Sequence, residues 1–206
     1  MTRPLSLCVY CGSRPGKSPA FEAAARELGH AIAEHGWRLV YGAGDVGLMG
    51  AVADAAIRGG AETLGVIPTH LLAREAPEGR KTQRIITETM HERKKVMFMN
   101  ADAVAVLPGG AGSLDEFFEV LTWGQLGLHE KPIYLVNIDG YWSLLIQTIQ
   151  HLIAEGFADA SLQDLFTVVD DITAIWRLTL HEQFFDELAE NLCRGPFGQH
   201  GRISGD

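Results

Sequence analysis

Two short stretches carry residue types that can do chemistry together. Pro108–Glu116 reads PGGAGSLDE, and Met90–Lys95 reads MHERKK. The first joins a glycine-rich turn to a cluster of acids, Asp115, Glu116 and Glu119. Backbone N–H groups at such a helix start point outward and, with the helix dipole, attract an anion. The Ser113 hydroxyl offers one more donor. No lysine precedes Ser113, so the loop lacks the pattern that holds a nucleoside triphosphate with magnesium; a monophosphate needs less positive charge. The acids admit two readings. Acidic residues in a first helical turn are favoured by the dipole, and Ser113 with Glu116 spells a capping box. Alternatively, at a rise of roughly 1.5 Å per residue, Glu116 lies about 4.5 Å along the axis from Ser113. A carboxylate a sugar's width from a phosphate can bind ribose hydroxyls, or face the positive charge that develops when a glycosidic bond breaks. Phosphate at the loop and ribose at the carboxylate fit one ligand, a nucleoside monophosphate. Asp115, about 100° around the helix from Glu116, is expected in solvent, and Glu119 on the same face as Glu116 is a candidate support.

In MHERKK, Arg93, Lys94 and Lys95 stand near an expected helix start, where positive charge opposes the dipole. Such a break with a local rule often marks function, although a solvated basic run explains it equally well. Arg93 could offer a planar fork to phosphate or ribose oxygens. His91–Glu92 is not a zinc motif, because Lys95 occupies the second histidine's place. Gly42–Gly47, GAGDVG, fits a dinucleotide fingerprint, but no acid ends the following strand to hold a ribose. Close packing in a tight turn and the lining of some other nucleotide site are the main readings, with a nicotinamide cofactor a third. Cys8 and Cys11 form a C-x-x-C inside an expected strand, where odd spacing places them on opposite faces. They read as two buried thiols, with no second pair to complete a zinc site.

These residues need a frame, and the chain supplies one by alternating strand-like and helix-like segments. Strands are expected at Leu5–Cys11, Trp37–Tyr41, Thr63–Ile67, Arg84–Thr87, Ala103–Leu107, Pro132–Asn137 and Phe166–Val169. Helices are expected from a Ser18 cap to about His35, then at Val46–Arg58, His91–Ala101, Ser113–Leu126, Trp142–Glu155 and Ile172–Leu192. The pattern implies an α/β fold, a Rossmann-like doubly wound parallel sheet with helices on both faces, as a single domain over residues 1–193. The glycine-rich tail, 194–206, is expected to be mobile. Ligands of such sheets bind beyond the carboxyl ends of the strands, where four loops lie: Gly12–Gly16, Gly42–Gly47, Pro68–Glu75 and Gly109–Ser113. Gly12 and Ser13 of the first loop and Gly44 of the second are therefore candidate substrate contacts.

Composition narrows the function. The 206 residues are 47% hydrophobic and 21% charged, with a formal net charge of −9. That balance argues against non-specific binding to nucleic acid or anionic membrane, which need a basic surface. No apolar stretch has the length of a membrane span, and no leader pattern opens the chain, so a cytoplasmic location is expected. Three cysteines make no disulfide framework.

Four stretches in order, GAGDVGLMG, MHERKKVM, LPGGAGSLDE and WGQLGLHEKPIYLVN, resemble the LOG ("lonely guy") family of cytokinin riboside 5′-monophosphate phosphoribohydrolases, some of which carry an older lysine decarboxylase label. The pattern P-G-G-x-G-T-x-x-E is matched at Pro108, Gly109, Gly110, Gly112 and Glu116, with Ser113 in place of the threonine. The resemblance implies hydrolysis of the N-glycosidic bond of a nucleoside 5′-monophosphate, with no metal or cofactor, by Arg93 and Glu116. It implies that Lys94, Gly110, Ala111, Gly112, Ser113, Leu114, Thr122 and Glu75 line the substrate, and that the protein is a homodimer with sites near the subunit interface. Ala111 stands where many members have an aromatic residue, and GAGDVG where GGGSVG is common. Molybdenum-cofactor carriers also resemble the family, so a non-catalytic binding protein is the alternative. The decarboxylase label finds no support, since no lysine has a context that singles it out for a Schiff base.

Overall fold

The computed structural model describes residues 3–72 and 82–177. Met1–Ile172 form one compact unit. It contains strands β1 (Ser6–Tyr10), β2 (Arg38–Tyr41), β3 (Thr63–Pro68), β4 (Gln83–Thr87), β5 (Ala103–Val106), β6 (Ile133–Val136) and β7 (Thr167–Val169). Its helices are α1 (Pro19–Glu34), α2 (Gly47–Arg58), α3 (Met90–Met99), α4 (Ala111–Gln125) and α5 (Ser143–Ala154). The second unit, Thr173–Asp206, is described over Thr173–Arg177, which are helical.

The seven strands form one sheet in the order β4-β3-β2-β1-β5-β6-β7, and every neighbouring pair is parallel. The chain steps outward from β1 to β4, crosses back to β5 beside β1, and steps outward the other way. Right-handed crossovers then place α1 and α2 on one face and α3, α4 and α5 on the other. Side-chain alternation fits: Cys8, Tyr10, Val104 and Val106 share a core with Met97 and Phe98 of α3, Phe117 and Val120 of α4, and Ile149 of α5. Phe117 is fully buried and meets Phe166 edge-on at 5.6 Å between ring centroids; a core ring of this kind contributes about 3–5 kcal/mol. On the opposite face α1 and α2 touch through small residues. A Cβ on Gly29 would collide with the Val52 carbonyl and with Ala55.

The expected strands all form, within a residue or two of their expected ends. α1 starts where its signals say: Ser18 accepts a hydrogen bond from the Ala20 N–H at 3.3 Å, and Pro19 follows as the first helical residue. The other helix starts in this unit fall within a residue of expectation, except that of α4. α4 begins at Ala111, and its N-cap is Gly110, with no side-chain cap. Ser113 therefore lies inside the first turn and forms no capping box with Glu116, because the glycine run lets the backbone turn helical two residues earlier. α3 begins at Met90 behind a capping box in which Thr89 accepts from Glu92 N–H and Glu92 accepts from Thr89 N–H. Most of the connection expected over Pro68–Lys81, with Glu75, lies outside the described residues, as do the tail and the expected final helix beyond Arg177.

Candidate active site

Strand order reverses between β1 and β5, which opens a crevice beyond their carboxyl ends. The exits of the two strands are tied together: Leu107 N–H donates to the Tyr10 carbonyl at 2.9 Å and Gly12 N–H to the Pro108 carbonyl at 3.0 Å. Two glycine-rich turns enter this region and behave differently. At the start of α2, the N–H groups of Leu48 and Met49 both donate to the Gly12 carbonyl, at 3.1 and 3.3 Å. Gly47, at φ +62°, lies against the backbone of Ser13 and Arg14, and Gly42 lies under the Arg93 guanidinium. Gly44 N–H donates to the Met49 sulfur at 3.1 Å. The GAGDVG glycines thus serve close packing, and a protein carbonyl fills the place a pyrophosphate takes in a dinucleotide fold.

At the start of α4 the N–H groups are open. The first helical bond runs from Leu114 N–H to the Gly110 carbonyl at 3.1 Å, and the N–H groups of Ala111, Gly112 and Ser113 find no acceptor among the described residues. A Cβ on Gly110 or Gly112 would meet open space. Gly109 is packed instead, against Ser113 and Gly12. The Tyr141 hydroxyl donates to the Gly109 carbonyl at 2.6 Å and the Trp142 indole N–H to the Val106 carbonyl at 3.3 Å. Phe21 stands edge-on to Tyr141, 5.3 Å between centroids. The loop is therefore held rigid from behind and left bare in front. It faces a cavity of about 480 Å³, of the size that takes a small ligand.

Arg93 and Glu116 both line this cavity. Arg93 is buried; its Nε donates to the Val66 carbonyl at 3.1 Å and its Nη2 to the Gly42 carbonyl at 2.7 Å. These carbonyls come from β3 and from the turn after β2, so the positive charge that opposes the helix dipole lies over strand ends that need donors. Its Nη1 has a distant sulfur, Met90 at 3.8 Å. Glu116 is half-buried, and its carboxylate accepts no hydrogen bond from the described residues. Burial raises its pKa to about 7, with Arg93 and Lys94 pulling it down and Asp115 and Glu119 pushing it up. Such a value poises a carboxyl for proton traffic near neutral pH. Burial, reinforced by Glu116, also pushes the Cys8 and Cys11 thiols well above their usual range, so neither is a reactive thiolate.

Of the residues singled out from sequence, Gly12, Ser13, Arg93, Gly109, Gly110, Ala111, Gly112, Ser113 and Glu116 meet around one cavity. Gly44, Lys94, Leu114 and Thr122 do not line it. Lys94 is buried behind the site between Asp115 and Glu119, at 2.9 and 3.1 Å. The Thr122 hydroxyl donates to the Phe118 carbonyl on α4 at 2.7 Å. The basic run of the sequence is thus split: Arg93 and Lys94 are buried and Lys95 is exposed. Asp115, expected in solvent, is exposed but ion-paired and reaches the cavity rim. The cavity also takes Arg14, Phe21, Met49, Met90 and Tyr141, none of which is among the site residues expected from the sequence. Arg14 was within reach, since it sits in the first ligand loop; Tyr141 and Phe21 arrive from distant segments with no local signal.

A family model described as "Possible lysine decarboxylase" matches residues 49–179. A probable cytokinin riboside 5′-monophosphate phosphoribohydrolase of Oryza sativa subsp. japonica is 43% identical over 166 residues, which is 81% of this chain and 72% of the relative. A cytokinin riboside 5′-monophosphate phosphoribohydrolase of Arabidopsis thaliana is 41% identical over 187 residues, 90% of this chain and 86% of the relative. The chain belongs to the LOG family. Among solved structures, the molybdenum cofactor binding protein of Rippkaea orientalis superposes with a TM-score of 0.67 at 22% identity, covering 88% of this chain and 98% of that one. At that identity the likeness to the cofactor binding protein is one of fold alone, whereas the LOG relatives are 41–43% identical over 81–90% of the chain.

Proposed function

We propose that this protein hydrolyses the N-glycosidic bond of an adenine-type nucleoside 5′-monophosphate, releasing the free base and ribose 5-phosphate. The observation that carries the reading is the juxtaposition, in one cavity, of a helix start whose first N–H groups meet no acceptor among the described residues and a carboxylate whose pKa burial raises to about 7. The phosphate takes the N–H groups of Ala111, Gly112 and Ser113. Arg14, which lines the cavity and pairs with no described residue, adds a cation there. Arg93, its fork anchored on two carbonyls, turns its remaining N–H groups to the ribose and phosphate. The ribose then lies against Glu116, and the apolar side chains of Leu48, Met49 and Met90 are left for the base. In the transition state the C1′–N bond stretches and positive charge builds on the sugar. Ionised Glu116 stabilises that charge, and its pKa also suits drawing a proton from the attacking water. Water supplies the hydroxyl at C1′, and a proton goes to the departing base.

The decarboxylase description has no counterpart in the cavity. No described lysine lines it, Lys94 is held by two carboxylates, and Lys131 caps the carbonyls of Phe98 and Ala101 at 2.8 and 2.7 Å. We take the protein to be a homodimer with sites close to the subunit interface, as family likeness implies, which accounts for Thr122 standing outside the cavity of a single chain. The charge of −9 weighs against a nucleic-acid partner. No described helix is long and apolar enough to cross a membrane.

The test compares AMP and isopentenyladenosine 5′-monophosphate with the corresponding nucleosides, following base release by chromatography. Release from the nucleotides and little from the nucleosides is expected, because the open helix start is a phosphate site. Equal rates with and without the phosphate would remove that site from the account.

A further inference from the structure

Lys94 is a charge with no access to the cavity, yet it sits one residue from Arg93. Its side chain is 5% exposed, and its ammonium is bonded to Asp115, 61% exposed, and to Glu119, 23% exposed. A lysine so buried is tolerated only when opposite charge compensates it. Burial works against the ammonium, but the hydrogen bonds and charges of Asp115 and Glu119 outweigh it and hold the proton more firmly than usual. The geometry has a consequence for the site. Arg93 and Lys94 are successive residues of α3, and Asp115 and Glu119 flank Glu116 on α4. The ion triad therefore joins the helix that carries Arg93 to the helix that carries Glu116. Below it the two helices share the apolar core of Met97, Phe98, Phe117 and Val120, which sets their distance; the triad fixes the register at the end where the chemistry is.

Resting on the reading of the cavity as a phosphoribohydrolase site, we propose that Lys94 is a positioning residue. Its ammonium, clamped by Asp115 and Glu119, sets Arg93 and Glu116 relative to each other and balances the acids around Glu116, without touching substrate. The charged and titratable groups facing Glu116 are Arg93 and Lys94 from α3, Asp115 and Glu119 from α4, and Cys8, Tyr10 and Cys11 from β1 and its exit. Only Arg93 and Lys94 oppose the burial and the acids that favour the protonated form. Removing Lys94 leaves Asp115 and Glu119 unopposed on that side.

The experiment uses the full-length protein and the variants K94M, K94R and E119Q, with kcat, KM and pH profiles for AMP. It adds a direct NMR titration of the carbon-13-labelled Glu116 carboxyl in the free protein. Positioning predicts that K94M lowers kcat about 10- to 100-fold, the cost of a small misplacement, with KM within about twofold. K94M should also move the Glu116 titration and the acid limb of the profile to higher pH, because a cation is lost. E119Q should move both to lower pH, and K94R should restore most of kcat. A raised KM with kcat preserved in K94M would make Lys94 a substrate ligand and overturn the proposal. An unmoved Glu116 titration in both K94M and E119Q would overturn it equally. If K94M fails to fold by circular dichroism, E119Q and K94R carry the same opposed predictions. If the wild type hydrolyses no nucleotide, the reading of the cavity fails, while the titration still decides whether the triad governs Glu116.

Discussion

Two glycine-rich turns lie at the carboxyl end of the sheet, one on either side of β1, and each leads into a helix. In the turn after β2, the glycines let protein approach protein. Gly42 accommodates Arg93, Gly47 accommodates the Ser13–Arg14 backbone, and the Gly12 carbonyl takes the first free N–H groups of α2. In the turn after β5, one glycine is packed and two face open space, and the first three N–H groups of α4, those of Ala111, Gly112 and Ser113, have no acceptor among the described residues. The same residue type at a strand-turn-helix junction therefore yields a structural joint in one place and, in the other, the open helix start proposed as the phosphate site. What separates them is whether the protein itself fills the helix start. A glycine motif alone does not say which; its neighbours in space do.

The comparison can be broken by substitutions on each side. The largest effect is expected in the second turn's helix: E116Q should lower kcat by about 100- to 10,000-fold with the circular dichroism spectrum unchanged. A kcat near that of the wild type would remove Glu116 from the chemistry. Next is G42A in the first turn. A methyl there collides with the Arg93 guanidinium, so both the melting temperature and kcat should fall, the latter about tenfold or more. G110A is its counterpart in the second turn. Its Cβ meets nothing and its φ of −99° suits any residue, so the melting temperature should hold while KM for the nucleotide rises by about tenfold, through crowding of the phosphate. If G42A proved silent, or if G110A lowered the melting temperature as G42A does, the division between joint and site would not stand.

The smallest effects are in pH dependence and sharpen the role of Glu116. Its pKa of about 7 places an acid limb near neutrality in the rate profile, with activity rising as the carboxylate forms. D115N removes an acid that holds the proton on, so the limb should move to lower pH. Stability carries the opposite trend. A folded-state pKa above the unfolded value means the protonated form is favoured by folding, a contribution present below about pH 4.5 and lost as pH rises through about 7. E116Q should therefore melt above the wild type at pH 8 and at the same temperature as the wild type near pH 4, by calorimetry at matched ionic strength. The group proposed to serve the chemistry then costs stability at neutral pH and above.

Much of the fold is legible in the sequence because its signals are local. Ala103–Val106, AVAV, is a continuous apolar run and becomes a central strand; Ser18–Pro19 marks a helix start and caps one. The family motifs place Arg93 and Glu116, and the strand-helix alternation puts their loops at one end of the sheet. What escapes is set by tertiary contact or by competition between signals. Ser113 with Glu116 has the spacing of a capping box, but glycines at 109, 110 and 112 allow the helix to begin earlier, and the serine is buried in the first turn instead. Thr89 and Glu92 have the same spacing and do form the box, just ahead of a basic run that is the more conspicuous feature of the sequence. That the first turn's amides are consumed by Gly12, and that Tyr141 braces Gly109 from 32 residues away, depends on chain segments no local window contains. Lys94 is the sharpest case: the motif that holds it marks importance, but whether it faces ligand or two carboxylates is decided only by the packing of α3 on α4.

The most direct test of the central claim is to identify the products formed from isopentenyladenosine 5′-monophosphate and AMP by the purified protein in oxygen-18 water. The account predicts free base and ribose 5-phosphate in equal amounts, with the label at C1′ of the sugar and none in phosphate. Release of inorganic phosphate and nucleoside, or tight binding of both nucleotides with no bond broken, would contradict it.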